Sequence, residues 1–203
     1  MDEKYDNGDI DIQFNNVPII INGENRRRPE GQLVRLPSRG IDRFETAIYL
    51  NVEARIFMAN HARKNRKGTE CGGFLLGYTG LDQKGSFLYI NIAVEAVGSI
   101  ERAASLKFTH ETWKALDEQR ETRFPELQLV GWYHTHPGFG VFYSSQDVFI
   151  QRHFFAGDRY VGFVLDGGFE KMGIFQWTST LVQCHQYYLV GDMANHRCID
   201  YRV

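Results

Sequence analysis

Cysteine is scarce in this chain. There are three, Cys71, Cys184 and Cys198, and none has the close spacing of a thiolate metal site. An odd, sparse set argues against a disulfide framework and fits a reducing compartment. Excess charge is lacking too: the formal net charge is -2. Bulk charge therefore gives no argument for nucleic acid or a membrane as partner. No apolar run reaches the roughly 18 residues of a spanning helix, and no signal-peptide apolar region is visible. The expectation is a soluble, cytoplasmic protein. Internal repeats and low-complexity tracts are also missing. What remains is ordinary globular material: 203 residues, 43 % hydrophobic and 24 % charged. That length suits one domain with extensions and a substantial core.

Residues 1–43 differ from the rest and read as an N-terminal extension. Met1 to Asp9 is polar and acidic. Asp11 to Phe14 alternates and Val17 to Ile21 is apolar, so a hairpin or edge strand is expected, with Pro18 arguing against a central one. Arg26-Arg27-Arg28 reads as a solvated loop, with a specific acidic partner as the alternative. Pro37-Ser38-Arg39-Gly40 marks the boundary. The main domain is expected over 44–180, and 181–203 form a C-terminal extension.

Within the main domain, Thr46 to Leu50 reads as a strand, and Asn51 caps a helix reaching about Asn65. Gly72 to Tyr78 and Phe87 to Val94 form a hairpin across a Gly-containing turn at Thr79 to Ser86. Glu95 to Lys107 looks irregular. Thr109 caps a second helix ending near Glu121. Tyr160 to Leu165 and Lys171 to Thr178 are strands joined at Asp166-Gly167-Gly168, and Gln183 to Val190 adds one more. Strands mixed with two or three helices give an α/β domain around a mixed sheet.

The chemistry concentrates in Gly131-Trp132-Tyr133-His134-Thr135-His136-Pro137, followed by Ser144 and Asp147. The run Leu127 to Val130 starts a strand, so His134 and His136 point to one side. Pro137 ends the strand, having no N–H for the ladder. Ser144 or Ser145 caps a helix over Gln146 to Phe155, with Asp147 in its first turn. Two imidazoles and a carboxylate suit zinc, and three protein ligands with one open position are the pattern of catalytic zinc. Any one of these histidines taken singly is an ordinary surface or core residue; the set gathered in fourteen residues is not. Trp132 and Tyr133 read as packing beneath the site, with substrate contact by Trp132 as the alternative. Cys71 reads as buried and structural; His61, His110, His153, His185 and His196 show no ligand pattern.

The spacing His134-x-His136-Pro137-x6-Ser144-x2-Asp147 resembles the JAMM (MPN+) motif of the zinc-dependent isopeptidases. The family also carries a glutamate upstream, before a Gly-rich apolar strand, and Glu70 in Thr69-Glu70-Cys71-Gly72-Gly73-Phe74 fits. The likeness covers roughly residues 45 to 180. It departs at Val141-Phe142-Tyr143, where many eukaryotic members have Cys-Trp-Leu, and in a shorter segment after Asp147. Those differences, with the compact size, point to a stand-alone, prokaryotic-type member.

The resemblance implies an MPN/JAB1, cytidine-deaminase-like architecture with an N-terminal β-containing arm. It implies Zn2+ held by His134, His136 and Asp147, Glu70 as proton carrier, and Ser144 as donor to the oxyanion. About Val97 to Ser105 would help hold the substrate's tail. The implied partner is a ubiquitin or ubiquitin-like protein, cut after its C-terminal tail in a lysine conjugate or a precursor. Two alternatives stand beside that reading: tail-trimming of a sulfur-carrier protein, and a non-catalytic MPN scaffold. The ligand set predicts that Glu70→Gln keeps its metal and loses turnover. Metal analysis with a cleavage assay checks this, and near-normal turnover would remove Glu70 from the chemistry.

Overall fold

Alternation along the strands decides where every helix packs. The computed structural model describes residues 26–36, 40–41, 44–64, 68–102, 105–166 and 171–191. In chain order these form β1 (Gln32–Arg35), β2 (Ala47–Asn51), α1 (Val52–Lys64), β3 (Gly72–Asp82), β4 (Gly85–Glu95), β5 (Ile100–Arg102), β6 (Ser105–Lys107), α2 (His110–Arg123), β7 (Gln128–His136), α3 (Ser145–Phe154), β8 (Gly157–Asp166), β9 (Met172–Trp177), β10 (Leu181–Cys184) and β11 (Gln186–Val190). Nine strands make one mixed sheet in the order β1-β11-β2-β4-β3-β7-β8-β9-β10, and β5 and β6 pair separately. The architecture is thus α/β, a mixed sheet flanked by helices. No helix among the described residues is long and apolar enough to cross a membrane.

Successive side chains of a strand serve opposite faces. Leu75, Leu88, Ile90, Tyr133 and Phe163 pack with Val52, Ala54 and Met58 of α1. Their neighbours Phe74, Leu76 and Trp132 pack on the other face with Leu116 of α2 and Ile150 of α3. Tyr49, Phe87 and Tyr89 form a third cluster. Losing one such fully buried leucine typically costs about 2–5 kcal/mol.

The parity of β7 is reset midway. Its register with β3 shifts between Leu75/Gly131 and Leu76/Leu129, which leaves Val130 as an extra residue. Leu129 and Trp132, three apart, therefore share the α2–α3 face. His134 and His136 follow Trp132 in step and join that face. Without the bulge, parity from Leu129 would send both toward α1. Gly131 makes the kink possible: a Cβ there would lie 2.0 Å from the carbonyl oxygen of Val161 on β8.

Several sequence expectations need adjustment. The β3–β4 hairpin is longer than expected, with Thr79 to Asp82 in the strand and only Gln83 and Lys84 in the turn. The stretch read as irregular contains the β5–β6 hairpin. Residues 183–190 hold parts of two strands, because strand pairing is interrupted at His185. β10 pairs with β9 while β11 pairs with β1 and β2, and this curls the sheet. The extensions at 1–43 and 181–203 thus both contribute strands to the main sheet. The hairpin expected over residues 11–21 lies outside the described residues, as do His196 and Cys198.

Arg28 is not a solvated loop residue. Its guanidinium donates to both carboxylate oxygens of Asp82 at 2.8 Å and lies 4.7 Å from the centre of the Phe87 ring. Its acidic partner lies within the chain. That bond holds the Asp82 carboxyl down at about 2. Segment 26–31 is consequently tied to the sheet. A chain beginning at residue 44 loses β1 and the Arg28–Asp82 pair. It should melt about 5 °C or more below one beginning at residue 26, as thermal unfolding will record. Equal melting temperatures would mean that the arm contributes nothing to the fold.

Candidate metal centre

Each functional side chain is placed by an identifiable structural cause. The β7 parity aims His134 and His136 at α3. Pro137 follows the last strand residue, and the chain turns through Gly138 and Gly140, both at positive φ. Helix α3 then begins with a reciprocal cap. Ser144 Oγ accepts from the Asp147 amide at 3.2 Å, and Asp147 Oδ2 accepts from the Ser144 amide at 2.7 Å. This cap turns Asp147 inward. On the other side, Gly72 of β3 pairs with His134 of β7, so Glu70, two residues earlier, comes level with His136. The Glu70 amide is held by the Arg102 carbonyl of β5 at 2.7 Å.

These elements converge. His134, His136 and Asp147 each offer a ligand atom, all within 4.8 Å of one another, and all three residues are buried. The two Nε2 atoms lie 3.2 Å apart, and His134 Nε2 lies 3.3 Å from Asp147 Oδ1. Tetrahedral zinc with bonds of about 2.0–2.1 Å sets its ligands about 3.3 Å apart. Those two separations fit that figure, and the third pair, His136 Nε2 and Asp147 Oδ2, is wider at 3.8 Å. The chemistry of the set agrees: His136 Nδ1 sits 2.7 Å from the Gly140 carbonyl, so it must carry the hydrogen, and Nε2 presents a lone pair toward His134. Glu70 Oε1 stands 3.9 Å from His136 Nε2.

Electrostatics separates the two carboxylates. Burial pushes Glu70 up to about 7, with Asp147 adding to the rise and His136 opposing it. Burial also works against ionised Asp147, but the adjacent imidazoles of His134 and His136 and hydrogen bonding from Ser144 hold it well below the usual carboxylate range. Burial lowers His134. His136 rises, since Asp147 and the Gly140 carbonyl outweigh its burial. One carboxylate is therefore a fixed anion, and the other can exchange a proton near neutrality.

Among the sequence candidates, Glu70, His134, His136, Ser144 and Asp147 are brought together. His153 is not: it is exposed and pairs with the Phe149 carbonyl. His61 packs from α1 against the Tyr133 hydroxyl at 2.7 Å, on the opposite face. Cys71 is buried with Sγ 3.4 Å from Thr135 Oγ1, as a structural residue would be. Trp132 does not reach a substrate. It is fully buried, its ring stacks on His134 at 4.6 Å, and its Nε1–H donates to Gln151. Sequence reasoning missed Gln151 and Asp166. Asp166 grips the Gly138 and Gly140 amides at 2.7 and 2.9 Å. Its one signal was its place at the C-terminal end of an apolar strand, alongside the histidine strand.

The chain is similar to known proteins over much of its length. The family model described as JAB1/Mov34/MPN/PAD-1 ubiquitin protease matches residues 46–157, just over half of the chain. The 26S proteasome non-ATPase regulatory subunit 14 of Caenorhabditis elegans is 33 % identical over 141 residues, covering 64 % of this chain and 40 % of that protein. The ubiquitin carboxyl-terminal hydrolase RPN11 of Saccharomyces cerevisiae is 30 % identical over 126 residues, covering 57 % and 36 %. The chain thus spans about two-fifths or less of the length of these curated relatives. A solution structure of a Desulfitobacterium hafniense protein shares the fold, with TM-score 0.53, 16 % identity and coverage of 73 % of this chain and 97 % of that one.

The raised Glu70 has a consequence for stability. In the unfolded chain Glu70 ionises near 4.5, and in the folded metal-free chain near 7. The folded state therefore holds the extra proton between those values, and stability falls as pH rises through them. Glu70→Gln should make the metal-free protein more stable than wild type at pH 8, by up to about 3 kcal/mol, and equal to it below pH 4. Denaturant unfolding at both pH values checks this; a variant less stable at pH 8 would contradict the assigned cause.

Proposed function

The chain belongs to the JAB1/Mov34/MPN/PAD-1 family, and from that membership we propose that it is a zinc-dependent isopeptidase or peptidase. It hydrolyses the bond that follows the C-terminal tail of a ubiquitin or ubiquitin-like protein. The observation that carries this reading is a buried His–His–Asp group with the buried Glu70 carboxylate 3.9 Å from His136. A non-catalytic scaffold has no use for that arrangement.

His134, His136 and Asp147 would hold the zinc. Bound there, the metal supplies a Lewis acid that polarises the scissile carbonyl and lowers the pKa of water. Glu70 takes one proton from the attacking water. The water oxygen bonds to the carbonyl carbon, and the carbon–nitrogen bond then breaks. Glu70 returns the proton to the departing amine, which would otherwise leave as a very poor anion. The products are a tail carboxylate and an amine, with the second water proton ending on the amine as ammonium or in solvent. Ser144 caps α3 through its oxygen lone pair, and its O–H would donate to the developing oxyanion.

The substrate tail is proposed to run along the β5–β6 hairpin, which the Glu70–Arg102 backbone bond ties to the site. Val97 and Ile100 are exposed there. The names of the two relatives, a proteasome regulatory subunit and a ubiquitin hydrolase, support a ubiquitin-like substrate.

The test is incubation with ubiquitin-like fusions and lysine conjugates, with and without a zinc chelator. Cleavage after the tail, abolished by chelator and restored by zinc, is expected. Cleavage of a sulfur-carrier fusion alone would move the assignment to precursor trimming, and chelator-insensitive cleavage would overturn the zinc reading. Ser144→Ala should lower kcat about a hundredfold or more with little change in KM.

A further inference from the structure

The two histidines are oriented by different means. His134 Nδ1 is buried with no hydrogen-bond partner among the described residues, and that ring is held by stacking on Trp132. His136 is held by a hydrogen bond to the carbonyl of Gly140. Gly140 sits in a loop with two positive-φ glycines, Gly138 and Gly140, a segment with little stiffness of its own. The position of its carbonyl therefore needs another cause.

Asp166 supplies one. Strands β7 and β8 run parallel and pair His136 with Asp166, which puts this carboxylate beside the start of the loop. It is buried, and its two oxygens accept from the Gly138 and Gly140 amides at 2.7 and 2.9 Å. Hydrogen bonds to an ionised acceptor are about twice as strong as neutral ones. Among the described residues, the cation beside it is the Lys171 ammonium at 4.0 Å, on a side chain 70 % exposed. That ion pair is a weak reason to bury a carboxylate. The grip on the loop is a better one.

We propose that Asp166 is a positioning residue for the metal centre. By anchoring the Gly138–Gly140 loop it sets the Gly140 carbonyl against His136, fixes that ring with hydrogen on Nδ1, and leaves Nε2 as the ligand nitrogen. This rests on the zinc reading and extends it along the relay Asp166 to loop to His136. Partners of this kind typically change metal affinity 10–100-fold when removed.

The test begins with wild-type, metal-free protein carrying 15N-labelled histidine at pH 8. The expected signature is His136 with hydrogen on Nδ1, together with slow exchange of the Gly138 and Gly140 amides. Asp166→Asn and Asp166→Ala come next. Asparagine keeps the volume but turns an NH2 group toward one of the two amides. Zinc affinity, measured by competition with a chelating dye, should fall about 10–100-fold in both variants, and His136 should become a mixture of tautomers. Lys171→Ala should leave affinity and tautomer unchanged. Wild-type His136 with hydrogen on Nε2 would overturn the proposal even if the Asp166 variants fail to fold. Wild-type zinc affinity in both folded variants would overturn it alone. Failure of the wild-type protein to bind zinc would overturn the proposed function, and this proposal with it.

Discussion

Strand β7 is hydrogen-bonded on both sides, to β3 and to β8, and the centre follows from those two registers. Pairing with β3 brings Glu70 level with His136; pairing with β8 brings Asp166 to the same place. The extra residue at Val130 decides which face receives the histidines. Three chain segments far apart in sequence thus meet at one strand end with little freedom. Only Asp147 comes from elsewhere, and the α3 cap sets its direction before any metal is bound. A site built on strand ends and a capped helix is better preorganised than one built on loops.

That arrangement is costly to the fold. Four ionisable groups, Glu70, His134, His136 and Asp147, are buried together. Their conflict is resolved by dividing labour: hydrogen bonds keep Asp147 an anion, while burial raises Glu70 toward neutrality. A carboxyl group able to take and return a proton near neutrality suits the role proposed for Glu70, while a fixed anion at Asp147 suits a metal ligand. The surrounding structure is closely packed and hydrogen-bonded where it touches the site. Trp132 lies between His134 and Phe155, and Gln151 joins the Trp132 and Tyr143 donors to the Phe155 carbonyl.

Much of this was legible in the chain itself. His134, His136 and Asp147 could be read because strand parity and a helix cap are local rules, and Ser144 with Asp147 announces its own cap. The helices after Asn51 and Thr109 were legible for the same reason, as was the β3–β4 hairpin. What could not be read depends on partners distant in sequence. The bulge at Val130 exists only against β3. The short β5–β6 pair lacks the apolar alternation that marks a strand. Asp166 looked like a turn residue because its two amide partners lie 28 and 26 positions earlier. Arg28 looked solvated because Asp82 is 54 positions away. Trp132 packs beneath the site as the sequence suggested, but its complete burial under α2 and α3, which excludes the alternative of substrate contact, is a tertiary fact.

The centre of this account is a zinc ion bound by two imidazole nitrogens and a carboxylate. X-ray absorption at the zinc edge, on protein loaded with one equivalent, reads that directly. The account predicts about four nitrogen or oxygen neighbours at about 2.0–2.1 Å, with the outer-shell scattering of two histidine rings and no sulfur. A sulfur neighbour near 2.3 Å, or spectra without imidazole scattering, would place the metal elsewhere and contradict it.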